Sequence, residues 1–158
     1  MKKENKESKL KLKENKPEYE TDKEITYDEN KTAENIEIIL NYAPKYGSVL
    51  AVIDEENNKR EGISKISPDK LNTLQSKFDC IIVDLNKTLI NEKADTQAAM
   101  LLRITDYLKP GGHIFVPPST YKYMPNDRIG TEVLLKTADL TIELPFNDLD
   151  GFIIASKI

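Results

Sequence analysis

The chain has one cysteine, one histidine, no tryptophan and no long apolar run. A single thiol cannot form an intramolecular disulfide, so Cys80 predicts a structural thiol in a reducing compartment. A zinc site needs several His or Cys ligands, which His113 and Cys80 alone do not supply, and we expect no metal site. No apolar run approaches the ~20 residues that cross a bilayer, and the first residues lack the apolar core of a secretory signal. These absences predict a cytoplasmic protein with no membrane partner.

The charge of the chain is modest and mixed in sign. Its net charge of -4 provides no general attraction to nucleic acid. Residues 1–30 carry eight Lys and nine Asp or Glu with few aliphatic residues. Such a segment buries too little apolar surface to offset the lost chain entropy, so we expect a disordered charged tail. A basic arm at Lys2–Lys16 that binds RNA or protein is the alternative interpretation. Residues 31–158 suffice for one α/β domain.

The hydrophobic pattern of residues 31–158 alternates between helices and strands. Predicted helices run from Thr32 to Ala43, over a few residues after the cap Ser67, from Ala94 to Leu108 and from Gly130 to Ala138. Predicted strands are Ser48–Ile53, Gly62–Ile66, Phe78–Leu85, His113–Val116, Leu140–Phe146 and Phe152–Lys157, with turns at Pro110–Gly112 and at NDLDG, Asn147–Gly151. This order predicts a mainly parallel sheet with helices on both faces and a C-terminal antiparallel hairpin.

Three motifs, FDCIIVDL, LKPGGHIFV and GFIIASKI, follow one another within residues 78–158. They resemble the fourth strand, the fifth strand and the end of the closing hairpin in the second half of a class I S-adenosylmethionine (SAM) methyltransferase. The resemblance implies a Rossmann-like fold. A receiver-like fold is the alternative, because the strands within VLAVIDEEN and FDCIIVDL each end in acidic residues, as a phospho-acceptor pocket would require. The pair Gly111 and Gly112 and the terminal hairpin favour the methyltransferase.

The resemblance implies SAM as the cofactor, yet the usual cradle for it is missing. Family enzymes carry a glycine-rich loop after the first strand, because the backbone must approach the methionine part of SAM closely. After Ile53 the chain has Asp54, Glu55, Glu56 and Asn57, with no glycine. We therefore expect a reduced form without this motif. If the run is instead the family's second strand, Asp54 or Glu55 would bind the ribose hydroxyls; otherwise it is a solvated turn.

Asp84 and Asn86 are the candidate catalytic residues. They follow a strand at the sheet edge where open α/β folds build their sites, and in the family this corner faces the transferred methyl group. The alternative is that they cap the turn that leaves the strand. PPSTY, Pro117–Tyr121, is similar to the PPY motif of amino-methylating enzymes but follows the fifth strand instead of the fourth, so we interpret it as a chance match.

Two functions agree with these patterns. The first is a reduced SAM-dependent methyltransferase, with weak or lost cofactor binding, that acts on an unidentified methyl acceptor. Its pocket would lie over Asp54, Asp84 and the loop from Val116 to Tyr121. The second is a non-catalytic module on the same fold that binds or assembles with a protein partner. The absent glycines favour the second function, and the polar ends of two strands leave the first open.

Overall fold

The computed structural model describes residues 37–38, 47–54, 64–143 and 151–158. The predicted charged tail at residues 1–30 lies outside them, as do Glu55 and most of the NDLDG turn. Of the helix expected from Thr32 to Ala43, only Glu37 and Ile38 are among the described residues, and both are helical.

Apart from the helical pair Glu37 and Ile38, the described residues form six strands and five helical segments. The strands are β1 (Val49–Ile53), β2 (Ser64–Ile66), β3 (Phe78–Asp84), β4 (Leu108–Val116), β5 (Leu140–Glu143) and β6 (Ile153–Lys157). The helices are a 3-10 helix (Pro68–Thr73), α1 (Lys87–Ile90), α2 (Ala94–Thr105), α3 (Pro118–Tyr121) and α4 (Asp127–Thr137). Each predicted strand is present at least in part, whereas the short helices α1 and α3 were not predicted.

The strands form one sheet in the order β2-β1-β3-β4-β6-β5. Strands β2, β1, β3 and β4 are parallel, and β6 is antiparallel to both β4 and β5. This mixed sheet confirms the predicted fold class, including the C-terminal antiparallel pair. A closing antiparallel pair of this kind does not suit the receiver-like alternative.

Within the described residues, the sheet lacks one strand of the doubly wound order 3-2-1-4-5-6. Strand β1 lies beside β3, as strand 1 lies beside strand 4 in that order, and β2 takes the place of strand 2. Between Ile66 and Phe78, a stretch described throughout, the chain forms only the 3-10 helix. The unit that would carry strand 3 is therefore reduced to that helix, and Val49–Ile53 occupies the place of the first strand and not of the second.

The PGG segment is a bulge in β4, which corrects the predicted turn. Helix α2 ends at Thr105, and the strand already begins at Leu108. Leu108 pairs with Phe78 and His113 pairs with Cys80, so the residues between are looped out of register. A Cβ on Gly112 would lie 2.8 Å from both the backbone oxygen of Asp79 and Leu108 Cδ1. Close packing of the bulge on β3 therefore requires glycine at this position.

The 3-10 helix begins at Pro68, as predicted, but Ser67 does not cap it with a side-chain hydrogen bond to the backbone. The Ser67 hydroxyl instead donates to Asp69 Oδ1 at 2.7 Å. Leu71 in this helix is fully buried and belongs to an apolar cluster that includes residues of the sheet.

Both faces of the sheet are covered by apolar contacts. On the first face, side chains from α2, α3 and α4 join β-strand residues in the larger cluster, which includes Leu101, Ile104 and Leu135. On the second face, Ile38 packs against a smaller cluster that contains Phe115 and the buried thiol of Cys80. Burial raises the pKa of Cys80 to about 12, in keeping with a structural thiol. None of the helices in the described part of the chain has the length and apolar character needed to cross a membrane.

Candidate functional site

The carboxyl ends of β1 and β3 lie side by side at one edge of the sheet. Ile53, the last residue of β1, is the register partner of Asp84, the last residue of β3. Asp54 follows directly after β1, and Asn86 follows two residues after Asp84. The structure thus brings three of the four predicted site residues to one corner, and the fourth, Glu55, lies outside the described residues.

The carboxylate of Asp54 holds the backbone of the turn after β3. Its Oδ2 accepts hydrogen bonds from the backbone N–H groups of Asn86, at 2.9 Å, and Lys87, at 3.0 Å. Its Oδ1 accepts from the N–H of Thr88 at 3.0 Å. The first N–H groups of a helix have no partner within the helix, so an acceptor from another element stabilises them. Asp54 therefore caps α1 from the neighbouring strand, an interaction that we call the Asp54 clasp.

The predicted catalytic residues are largely enclosed at the same corner. Asp84 is 3 % exposed and Asn86 is 8 % exposed. The Asn86 side chain accepts a hydrogen bond from the backbone N–H of Lys87 at the start of α1. For Asn86 this geometry agrees with the capping role that was the alternative interpretation. The catalytic role of both residues stays a prediction.

Helix α3 lies across the end of β3, although the chain enters α3 from β4. The Thr120 hydroxyl donates to the backbone oxygen of Val83 at 3.0 Å and accepts from the N–H of Leu85 at 2.9 Å. The PPSTY segment therefore reaches the end of β3, beside Asp84, where the pocket of the methyltransferase interpretation was expected. The available sequence signal for a helix was Pro118, since proline suits the first position of a helix.

Tyr121 is the last residue of α3 and is buried, and Tyr123 follows it and is partly buried. Burial, with the nearby Asp54 carboxylate, raises the pKa of Tyr123 above its ordinary value. The Tyr121 hydroxyl donates to the backbone oxygen of Gly151 at 2.6 Å, and the Arg128 guanidinium lies 5.8 Å from the centre of its ring. Burial raises the pKa of Tyr121, and Arg128 opposes this shift.

Two spaces flank the corner, and they differ greatly in size. The interior cavity between β3, α2 and α3, whose lining includes Val83, Leu85 and Thr120, has a volume of about 10 Å³. That is room for roughly one water molecule. The outer cleft has a volume of about 330 Å³ and lies between the 3-10 helix, α1 and α2. Ligand pockets typically begin at about 300 Å³, so of these two spaces the cleft alone has room for a small molecule.

The cleft is rich in acidic side chains. Its lining residues are Asp54, Ser67, Pro68, Asp69, Thr88, Glu92, Met100 and Arg103. Sequence reasoning identified Asp54 among them but missed Asp69 and Arg103. Asp69 follows β2 and Arg103 belongs to α2, so only the tertiary arrangement places them beside the end of β1.

The described residues do not fit SAM held in the manner that the resemblance implies. Asp54 stands immediately after the first strand, where a glycine would let the backbone approach the cofactor. Both oxygens of its carboxylate already accept backbone hydrogen bonds within the chain. The assignment of Asp54 as a ribose ligand stays a prediction, as does that of Glu55.

Comparison with known proteins gives matches among solved structures alone. No family model and no curated protein matches the chain. Magnesium protoporphyrin IX methyltransferase from Synechocystis PCC 6803 with bound SAM aligns at a TM-score of 0.50 and 10 % identity, covering 82 % of this chain and 79 % of that protein. The SAM-bound amino pentose methyltransferase CalS10 from Micromonospora echinaspora aligns at 0.51 and 10 %, covering 82 % and 91 %. DesVI from Streptomyces venezuelae aligns at 0.52 and 10 %, covering 84 % and 100 %.

The chain has a methyltransferase-like fold. This agrees with the resemblance noted in residues 78–158 and extends it to the amino-terminal strands. At this level of identity the likeness concerns the architecture of the chain, and the activity has to be argued from the residues of the corner.

Proposed function

We propose that this chain is a reduced methyltransferase-like protein that works as a binding or assembly module and not as an enzyme. In this proposal the sheet and its closing antiparallel pair are retained as a scaffold, and the cradle for SAM is lost. The partner would be a protein, since neither the net charge nor any described feature favours nucleic acid.

The Asp54 clasp is the observation that carries this proposal. Three backbone N–H groups converge on one carboxylate from the end of β1, at distances of 2.9 to 3.0 Å. Hydrogen bonds to an ionised acceptor are among the stronger ones in proteins. To admit a cofactor against the end of β1, the chain would have to give up these bonds and offer the start of α1 another acceptor. The clasp thus supports a structural role for this corner, in place of cofactor binding.

Titration of the full chain with SAM, followed by calorimetry, tests the proposal. We expect no saturable heat at concentrations up to about 1 mM, where the binding free energy would be only about -4 kcal/mol. A parallel titration with S-adenosylhomocysteine covers the product form of the cofactor. Saturable binding of either compound in the micromolar range would contradict the proposed loss of the cradle.

The cleft supports a second candidate function, SAM-dependent methyl transfer. Its volume of about 330 Å³ falls within the range of ligand pockets, and Asp54 and Asp69 both line it. In this candidate Asp54 and Glu55 bind the cofactor, and Asp84 and Asn86 act at the methyl group, as the sequence predicts. SAM would be the methyl donor, and the methyl acceptor is not identified.

A matched pair of variants separates the two candidates. If SAM binds in the cleft, Asp69→Asn should weaken its affinity by about tenfold, the equivalent of roughly 1.4 kcal/mol. Lys136→Gln, an exposed change on α4, should leave the affinity unchanged. If neither the wild-type chain nor the variants bind SAM, the binding-module proposal stands.

A further inference from the structure

The side of the corner where a methyl acceptor would bind, next to Asp84, is closed by a segment other than the Asp54 clasp. After β4 the segment Pro118–Met124, which contains α3, turns back over the end of β3. Its Thr120 hydroxyl bonds to Val83 and Leu85, the two residues on either side of Asp84. The Thr120 side chain thus bonds to the backbone on both sides of Asp84, the residue that would face a methyl acceptor.

Burial at this point is nearly complete. Val83, Asp84, Leu85 and Thr120 are all 3 % exposed or less. The adjacent cavity of about 10 Å³ has no room for an acceptor group. The end of β3 is therefore part of the interior, although strand ends at this edge of open α/β sheets usually border a ligand crevice.

The segment is held at further points along its length. The Tyr121 hydroxyl bonds to Gly151 just before β6, at 2.6 Å. Met124, which is 6 % exposed, belongs to the larger apolar cluster. Lifting the segment from β3 would expose these side chains and break the bonds of Thr120 and Tyr121 together.

We propose that Pro118–Met124 is an internal plug that closes the methyl-transfer corner, so that no acceptor reaches Asp84 even when a ligand occupies the cleft. This goes beyond the proposed loss of the cofactor cradle, because it concerns the acceptor side and rests on Thr120 and its neighbours instead of Asp54. With the plug in place, the chain can bind a ligand in the cleft but cannot transfer a methyl group to an acceptor at Asp84.

Thiol labelling of the full chain tests the plug. One variant, Thr120→Cys, places a thiol on the buried side of the plug, and a second, Lys122→Cys, places one on its exposed side. Both variants are labelled with a maleimide and mapped by mass spectrometry. The native Cys80, fully buried in β3, reports the rate of global opening in each variant. We expect the plug thiol of Thr120→Cys to react as slowly as Cys80, and at least about 100-fold more slowly than the exposed thiol of Lys122→Cys, because only large-scale opening exposes it.

Amide exchange in the wild-type chain provides a second measurement that needs no folded variant. The Leu85 N–H donates to the Thr120 hydroxyl, so it should exchange as slowly as the central amide of Ile82. If Leu85 exchanges quickly while Ile82 stays protected, or if the thiols of the two variants react equally fast, the plug proposal is wrong. These readouts do not depend on SAM, so a failed SAM titration and a failed plug are distinguishable.

Discussion

Replacing Asp54 with alanine removes the acceptor that joins the end of β1 to the start of α1. Three backbone N–H groups, those of Asn86, Lys87 and Thr88, lose their common acceptor, and the N–H of Lys87 keeps a second one in the Asn86 side chain. A hydrogen bond to a charged group contributes about 1.5–3 kcal/mol in mutational series. Asp54 is only partly buried, so water would replace some of these bonds. We therefore expect a loss of about 2–3 kcal/mol in the free energy of unfolding, somewhat above the roughly 0.5–2 kcal/mol typical of a helix cap.

Urea unfolding of the full chain, followed by circular dichroism, measures this loss. The midpoint should fall while the slope stays unchanged, because the surface exposed on unfolding is nearly the same. Asp54→Asn retains one acceptor oxygen and should cost about 1 kcal/mol. Asp69→Ala is the matched control, since Asp69 lines the same cleft but contacts the Ser67 hydroxyl and not the backbone of α1. An Asp54→Ala variant within about 0.5 kcal/mol of the wild type would refute the structural role of the clasp.

Three further outcomes follow from contacts elsewhere in the fold. Lys157→Met should lower the free energy of unfolding by about 1–2 kcal/mol, because Lys157 Nζ donates to the backbone oxygens of Thr105 and Leu108. Thermal unfolding measures this loss, and Lys136→Met, a change at an exposed lysine, is the control. Gly112→Ala should cost about 1–3 kcal/mol in urea unfolding, because the added Cβ meets backbone oxygen at 2.8 Å, and wild-type stability would contradict the bulge geometry. The pKa of Asp79 is lowered below its ordinary value of 3.8, chiefly because its carboxylate accepts a hydrogen bond from the backbone N–H of Ser48. This carboxylate thus stabilises the fold above pH 3.8, and its contribution is lost as the pH falls through the lowered pKa; Asp79→Asn should remove that part of the acid dependence measured by unfolding at a series of pH values.

The sequence predicted the α/β class, the strands and the closing antiparallel pair because these depend on local pattern. The strand Phe78–Asp84 contains the run Cys80, Ile81, Ile82 and Val83, whose apolar and β-branched side chains suit a strand buried on both faces. The bulge was missed because Pro110 and Gly111 are typical of turns, and only pairing of Leu108 with Phe78 extends the strand to include them.

The sequence predicted which residues meet at the candidate site but not the hydrogen bonds between them. Asp54, Asp84 and Asn86 were identified because polar residues at the ends of parallel strands meet at one edge. That Asp54 would bond to Asn86, 32 positions away, depends on β1 and β3 being neighbours. The loop from Val116 to Tyr121 was predicted to lie beside Asp54 and Asp84. Thr120 was not singled out within it, because its contact with β3 spans 35 positions and has no local signal.

The sequence by itself determined that this protein is an α/β domain without glycine after its first strand, because strand-forming runs and the absence of a residue type are local properties. Only the tertiary structure decided what fills the corner at the end of β3. Hydrogen bonds between segments more than 30 positions apart assign Asp54 to the start of α1 and Thr120 to the end of β3. Which polar groups remain available to a ligand depends on such pairings, because each donor or acceptor used within the fold is withdrawn from binding.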